Sequence, residues 1–69
     1  MNPYLLRQLW SLVEASQTHL LLSLDDNSLV HWLIEQISGE RVLNPVEADH
    51  LDHYIRDRLP LIRDLAQYP

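Results

Sequence analysis

The sequence predicts an all-α fold: three helices, over about 3–21, 26–38 and 45–66, in one domain covering 1–69. Two observations carry this expectation. Four prolines and a single glycine fall almost entirely where a helix should begin or end, and between them the apolar residues recur with helical spacing. No internal repeat and no low-complexity tract interrupts the pattern.

The first helix starts at Asn2-Pro3, where asparagine accepts a backbone N–H and proline lacks the donor that a first turn would leave orphaned. It is expected to run from Pro3 to about Leu21. The second helix is capped by Asp25, with Leu24 and Leu29 spaced as a hydrophobic staple and Asp26 at the positive end of the helix dipole. Gly39, able to take a left-handed conformation, is expected to close it near Ser38. The third start is the clearest, because Asn44-Pro45-Val46-Glu47 puts a cap and a returning carboxylate three residues apart. Pro60 could end this helix, yet Leu51, Ile55, Leu59, Ile62 and Ala66 keep helical phase across it, and projection places the proline on the solvent side. One helix kinked at Pro60 is expected.

The apolar faces are wide. In the first helix Leu6, Trp10, Leu21 and Leu24 broaden the stripe of Leu5, Leu9, Leu12, Val13, Ser16 and Leu20 to about 180°, against the ~100° of an ordinary surface helix. The second helix, with Leu29, Val30, Trp32, Leu33, Ile34 and Ile37, covers about 200°. A three-helix monomer would leave part of this arc uncovered, so a homodimeric helix bundle is expected. Its interface would be Leu6, Trp10, Leu21, Leu24, Val30, Trp32 and Ile34, with the tryptophans as anchors. Arg58 joins that set because projection puts it inside the apolar stripe of the third helix, where it must either snorkel to water or pair across an interface. A folded-back tail, with Tyr68 or Leu61 over Trp10, is the competing way to cover the surplus.

Composition narrows the function classes. A chain of 69 residues buries only about 60% of its unfolded surface, and without cysteine neither a disulfide nor a thiolate zinc site can compensate. Ten acidic residues against five arginines and no lysine give a net charge of −5, which argues against nucleic acid as a partner. The longest apolar run, Leu20–Leu22, is far below the roughly 20 residues that span a bilayer, so no membrane association is expected. The opening residues lack the basic and apolar regions of a secretion signal, and a cytoplasmic location follows as the expectation.

Chemistry-bearing patterns are sparse. Glu47 and His50 have the Glu-x-x-His spacing that places two ligands on one helix face, and a dimer would supply two such pairs with Glu14 or Glu35 beside them. Glu47 is, however, already explained as a capping residue. His53 has Asp49 and Asp57 one turn away on either side, and Asp52 precedes Arg56 by four, the spacing of a solvated helix face. No serine has a glycine-rich elbow, and one glycine cannot build a phosphate-cradling loop. No catalytic residue, cofactor or resident metal is therefore expected, with Glu47 and His50 as the alternative metal pair.

The segments Asn2–Leu6, Ser28–Leu33 and Tyr54–Leu65 resemble those of small uncharacterised cyanobacterial proteins of about this length. That resemblance implies an accessory protein and carries no activity with it. The combined expectation is a non-catalytic interaction or regulatory module acting as a homo-oligomer. A subunit of a hetero-oligomeric complex is the alternative.

Overall fold

The computed structural model describes residues 2–67, which form four α-helices and short connectors: α1 (Pro3–Ala15), α2 (Thr18–Ser23), α3 (Asp26–Glu40) and α4 (Pro45–Gln67). No strand occurs among the described residues. The all-α class and the starts of the second and third expected helices agree with the sequence reading. The first expected helix does not survive as one element.

It divides at Ser16 and Gln17, both of which are extended, with ψ of 151° and 133°. Ser16 turns its groups back on α1: its hydroxyl donates to the Leu12 carbonyl at 2.6 Å and its N–H reaches the carbonyls of Leu12 and Val13. A serine that satisfies the end of a helix locally removes the incentive to extend it. The interruption also resets the phase. A continuous helix would align Leu20 with the core stripe, but after two extended residues it is Leu21 that is buried, at 2% exposure, while Leu20 is half-buried.

At the start of α1, Asn2 Oδ1 accepts the Tyr4 N–H at 2.9 Å. The α4 box closes as expected: the Glu47 N–H donates to Asn44 Oδ1 at 2.8 Å and the Asn44 N–H to Glu47 Oε1 at 3.4 Å. The cap of α3 is looser. No Asp25 side-chain cap bond closes at hydrogen-bonding geometry, although the Ser28 side chain, and secondarily its N–H, hold the Asp25 carboxyl below its ordinary pKa of 3.8.

One helix ending differs from expectation, and the continuation through Pro60 agrees with it. Gly39 has no positive φ, so α3 passes through it and stops after Glu40, where Arg41 is extended with φ −153° and ψ 150°. Pro60 neither ends nor interrupts α4. It is exposed, as projection required, so water can serve the carbonyl that loses its N–H partner.

α4 is the spine. α2 and α3 both pack on it, and α1 packs on α3, in a body of 32 × 20 × 18 Å. The expected α4 stripe is fully realised: Leu51, Ile55, Leu59, Ile62 and Ala66 are all buried. Facing them are Leu5, Leu9 and Val13 of α1, Leu21 of α2, and Leu29, Val30, Leu33 and Ile37 of α3. Each fully buried leucine or isoleucine removes apolar area worth about 1.5–3 kcal/mol from water, which makes this layer the principal source of stability.

Polar ties fix the helices to one another. Arg63 of α4 donates to the carbonyls of Leu21 (3.0 Å) and Leu24 (2.8 Å) and to Asp26 Oδ1 (2.9 Å). One guanidinium thus satisfies carbonyls at the end of α2 and neutralises the first-turn carboxylate of α3. Seven residues earlier, Arg56 bonds Asp52 at 3.1 Å and Asn27 Oδ1 at 2.7 Å. Gln8 of α1 donates to Glu40 at the end of α3.

Candidate functional site

The residues expected at an interface separate into three groups. Leu21 and Val30 lie inside the chain's own core, at 2% and 0% exposure. Leu6, Trp10, Leu24, Trp32 and Ile34 are half-buried, and all of these except Leu6 are packed against that core. Arg58 is exposed. Part of the surplus apolar arc is thus used within one chain: dividing the first helix sends Leu21 inward, and Tyr54 on the flank of α4 packs over Trp10.

That flank carries a small polar–aromatic cluster. The Trp10 indole N–H donates to Tyr54 Oη at 3.1 Å, and the two rings meet edge to face at 6.4 Å and 82°. Arg58 lies over the Tyr54 face with its guanidinium carbon 5.3 Å from the ring centre, and its other contact is Asp57 at 2.9 Å. The Arg58 side chain escapes the core by crossing the tyrosine, so its position in the apolar projection is corrected: it snorkels. The residue over Trp10 is Tyr54, not Leu61, and Tyr68 lies outside the described residues.

Glu47 is engaged with Asn44, and His50 is exposed one turn further on. Among the described residues no group of three or more His, Asp or Glu side chains gathers as a metal site would require. His53 faces Asp49 at 3.6 Å on the open side of α4, the expected i,i+4 arrangement.

A concave surface forms where the first expected helix divides. Between the last turn of α1, the first turn of α2 and the last turn of α4 lies a cleft of about 310 Å³. Its floor is apolar, from Val13, Leu21 and Ala66, and its rim carries Glu14, Thr18 and Leu65. Leu65 is 49% exposed, and Leu61, one turn before it on the same face of α4, is 46% exposed. Leu22, which follows the floor residue Leu21, is also exposed. The remaining exposed large apolar residues, Tyr4, Val42 and Val46, lie in the first turn of α1, the α3–α4 connector and the first turn of α4.

The cleft was not foreseen, because it exists only through the interruption at Ser16-Gln17, and the residues that make it were assigned to a continuous stripe. Arg63 was also missed. Its signal was present: an arginine beside the stripe residue Ile62, one heptad from Arg56, both facing the α2–α3 junction.

The architecture defines the class as a small all-α helical protein in which no helix of the described residues is long and apolar enough to cross a membrane. Comparison with family models, curated proteins and solved structures returned no match for the chain.

Proposed function

We propose that this chain is a non-catalytic protein–protein interaction module whose contact surface is the Leu61–Leu65 edge of α4 and the cleft beside it. The observation that carries this reading is the half-exposure of two leucines one turn apart on a regular helix, bordering an apolar concavity, in a chain whose tryptophans are drawn onto its own core. Exposed apolar side chains beside a concave floor are the usual mark of a contact site. The reading needs no cofactor and no catalytic residue, and it places the protein in the cytoplasm as a soluble accessory factor.

Its test is a neutral solvatochromic dye added to the native protein. Saturable binding is expected, lost in Leu61→Glu/Leu65→Glu while the circular dichroism spectrum stays helical. A native protein that binds no dye, or a charged double variant that binds it equally, would count against the surface.

Homodimerisation is the second reading, favoured by Trp32 and Ile34, which keep part of their surface open on α3. Sedimentation equilibrium across the micromolar range distinguishes the two: a dimer dissociated by Trp32→Ala but indifferent to Leu61→Glu/Leu65→Glu would assign the interface to α3.

A further inference from the structure

The bend at Ser16-Gln17 is held by the elements on either side of it rather than by its own backbone. Neither residue is proline or glycine, and neither has a positive φ. Ser16 bonds back to α1 and the Gln17 carbonyl accepts forward from Leu21, and among the described residues no hydrogen bond links α1 to α2. α2 also starts without a side-chain cap: the N–H groups of Gln17, Thr18, His19 and Leu20 bond no acceptor on the chain among the described residues. In a helix running on from α1 into α2, these four donors would meet the carbonyls of Val13, Glu14, Ala15 and Ser16. We infer that the junction is a hinge that straightens, and that two straightened copies exchange their α1 helices to form a domain-swapped dimer.

Helical phase dictates the exchange. On a straight helix Leu20, not Leu21, continues the line of Leu5, Leu9 and Val13, and the two leucines stand about 100° apart. α2 is fixed to α4, by Leu21 at 2% exposure and by Arg63, which donates to the carbonyls of Leu21 and Leu24. With α2 held there, straightening carries α1 off α3 and turns its stripe away from its own core. Leu5, Leu9 and Val13, at 0%, 0% and 4% exposure in the closed chain, are costly to leave in water. One surface fits them by construction, the seat that α1 of a second copy has vacated in the same way.

There Gln8 meets Glu40 and Trp10 meets Tyr54 as they do within one chain, but between copies. The exchange needs no new contact surface, since each α1 recovers on its partner what it left at home. The balance between closed monomer and swapped dimer therefore rests on the conformation of two residues and on protein concentration.

Sedimentation equilibrium of the full chain across the micromolar range tests the hinge. Ser16→Ala/Gln17→Ala favours the straight helix, and because each dimer contains two hinges it should raise the association constant at least about ten-fold over the native chain. Gln17→Pro fixes the bend: Gln17 has φ −66° and Ser16 ψ 151°, values that proline and its preceding residue adopt, and no bond of the Gln17 N–H is lost. It should lower association at least about ten-fold while the circular dichroism spectrum stays helical. Ser16→Gly/Gln17→Gly, which disfavours the straight helix without a ring, should shift association the same way and keeps the test intact should the proline variant fail to fold.

Cross-linking tests the exchange itself, since the chain has no cysteine of its own. Gln8→Cys and Glu40→Cys chains, both carrying Ser16→Ala/Gln17→Ala, are refolded together and treated with a short bis-maleimide. A covalent pair whose mass is one chain of each kind is expected, because α1 of one copy then lies on α3 of the other. An alanine pair that stays monomeric throughout, an association constant indifferent to all three hinge variants, or a dimer that gives no mixed cross-link between positions 8 and 40 would each overturn the inference.

Discussion

The Ser16-Gln17 junction and Pro60 are the two places where a long helix of this chain could break, and they behave oppositely. The junction has neither proline nor glycine, yet the chain is extended there; the helix containing Pro60 runs on to Gln67. Local propensity alone would assign the outcomes the other way, since proline costs about 3 kcal/mol in a helix interior and serine or glutamine well under 1. Tertiary demand decides both. α4 stays continuous because Leu59, Ile62 and Ala66 are buried along one line while Pro60 faces water. The first expected helix divides because two extended residues turn Leu21 onto α4, where Arg63 can receive the end of α2.

The phase shift at the junction gives the largest expected effect. Leu21→Ala should destabilise the protein by about 2–4 kcal/mol in urea denaturation, and Leu20→Ala by well under half of that. A continuous helix would reverse the order, so equal or inverted losses would remove the two-residue interruption. Arg63→Met keeps the side-chain stem but leaves two carbonyls of the α2–α3 junction without their donor; a loss of about 2 kcal/mol is expected, only partly restored in Arg63→Lys because an ammonium cannot span the same fork of acceptors.

At the other site the sign changes. Pro60→Ala should raise stability by about 1–2 kcal/mol, the recovered helix bond being partly offset by a more flexible unfolded chain. A loss instead would mean that the backbone around Pro60 is adapted to the ring. Gly39→Ala is a milder case of the same kind. It adds a Cβ to a helical residue with nothing within 4 Å, for a gain of about 0.5–1 kcal/mol, read as a higher urea midpoint.

The smallest effect concerns acid. Asp25 has its folded pKa lowered, mainly by the Ser28 side chain, so its contribution is complete above the unfolded value near 3.8 and is lost as pH falls through the lower folded value. Asp25→Asn should therefore flatten stability slightly below pH 4 and leave its pH dependence unchanged near neutrality. An altered slope near neutrality would assign the dependence to another group.

Much of the fold was legible in residues that act locally. Asn2, Asn44 and Glu47 bond the N–H groups that their positions dictate, and the α4 stripe follows from one uninterrupted period. Gly39 misled because a glycine permits a left-handed ending without requiring one, and the Gln8–Glu40 bond ties α1 to the last residue of the longer helix. The division after Ala15 and the position of Arg63 were hidden for one reason. Each depends on the other end of the chain, and the carbonyls that Arg63 receives are invisible in a one-dimensional pattern. The cleft inherits that opacity, since it is the space left where the chain changes phase.

The Trp10–Tyr54 bond has an optical consequence. The two tryptophans report on different parts of the fold: Trp10 is tied through its indole nitrogen to α4, whereas Trp32 sits on α3 against the core. In Trp32→Phe protein the remaining emission comes from an indole whose donor is held by a phenol across 44 positions of sequence. Detachment of α1 would then register as a change in emission before the helices behind it lose their ellipticity, giving this chain an internal gauge of how its first segment parts from its last.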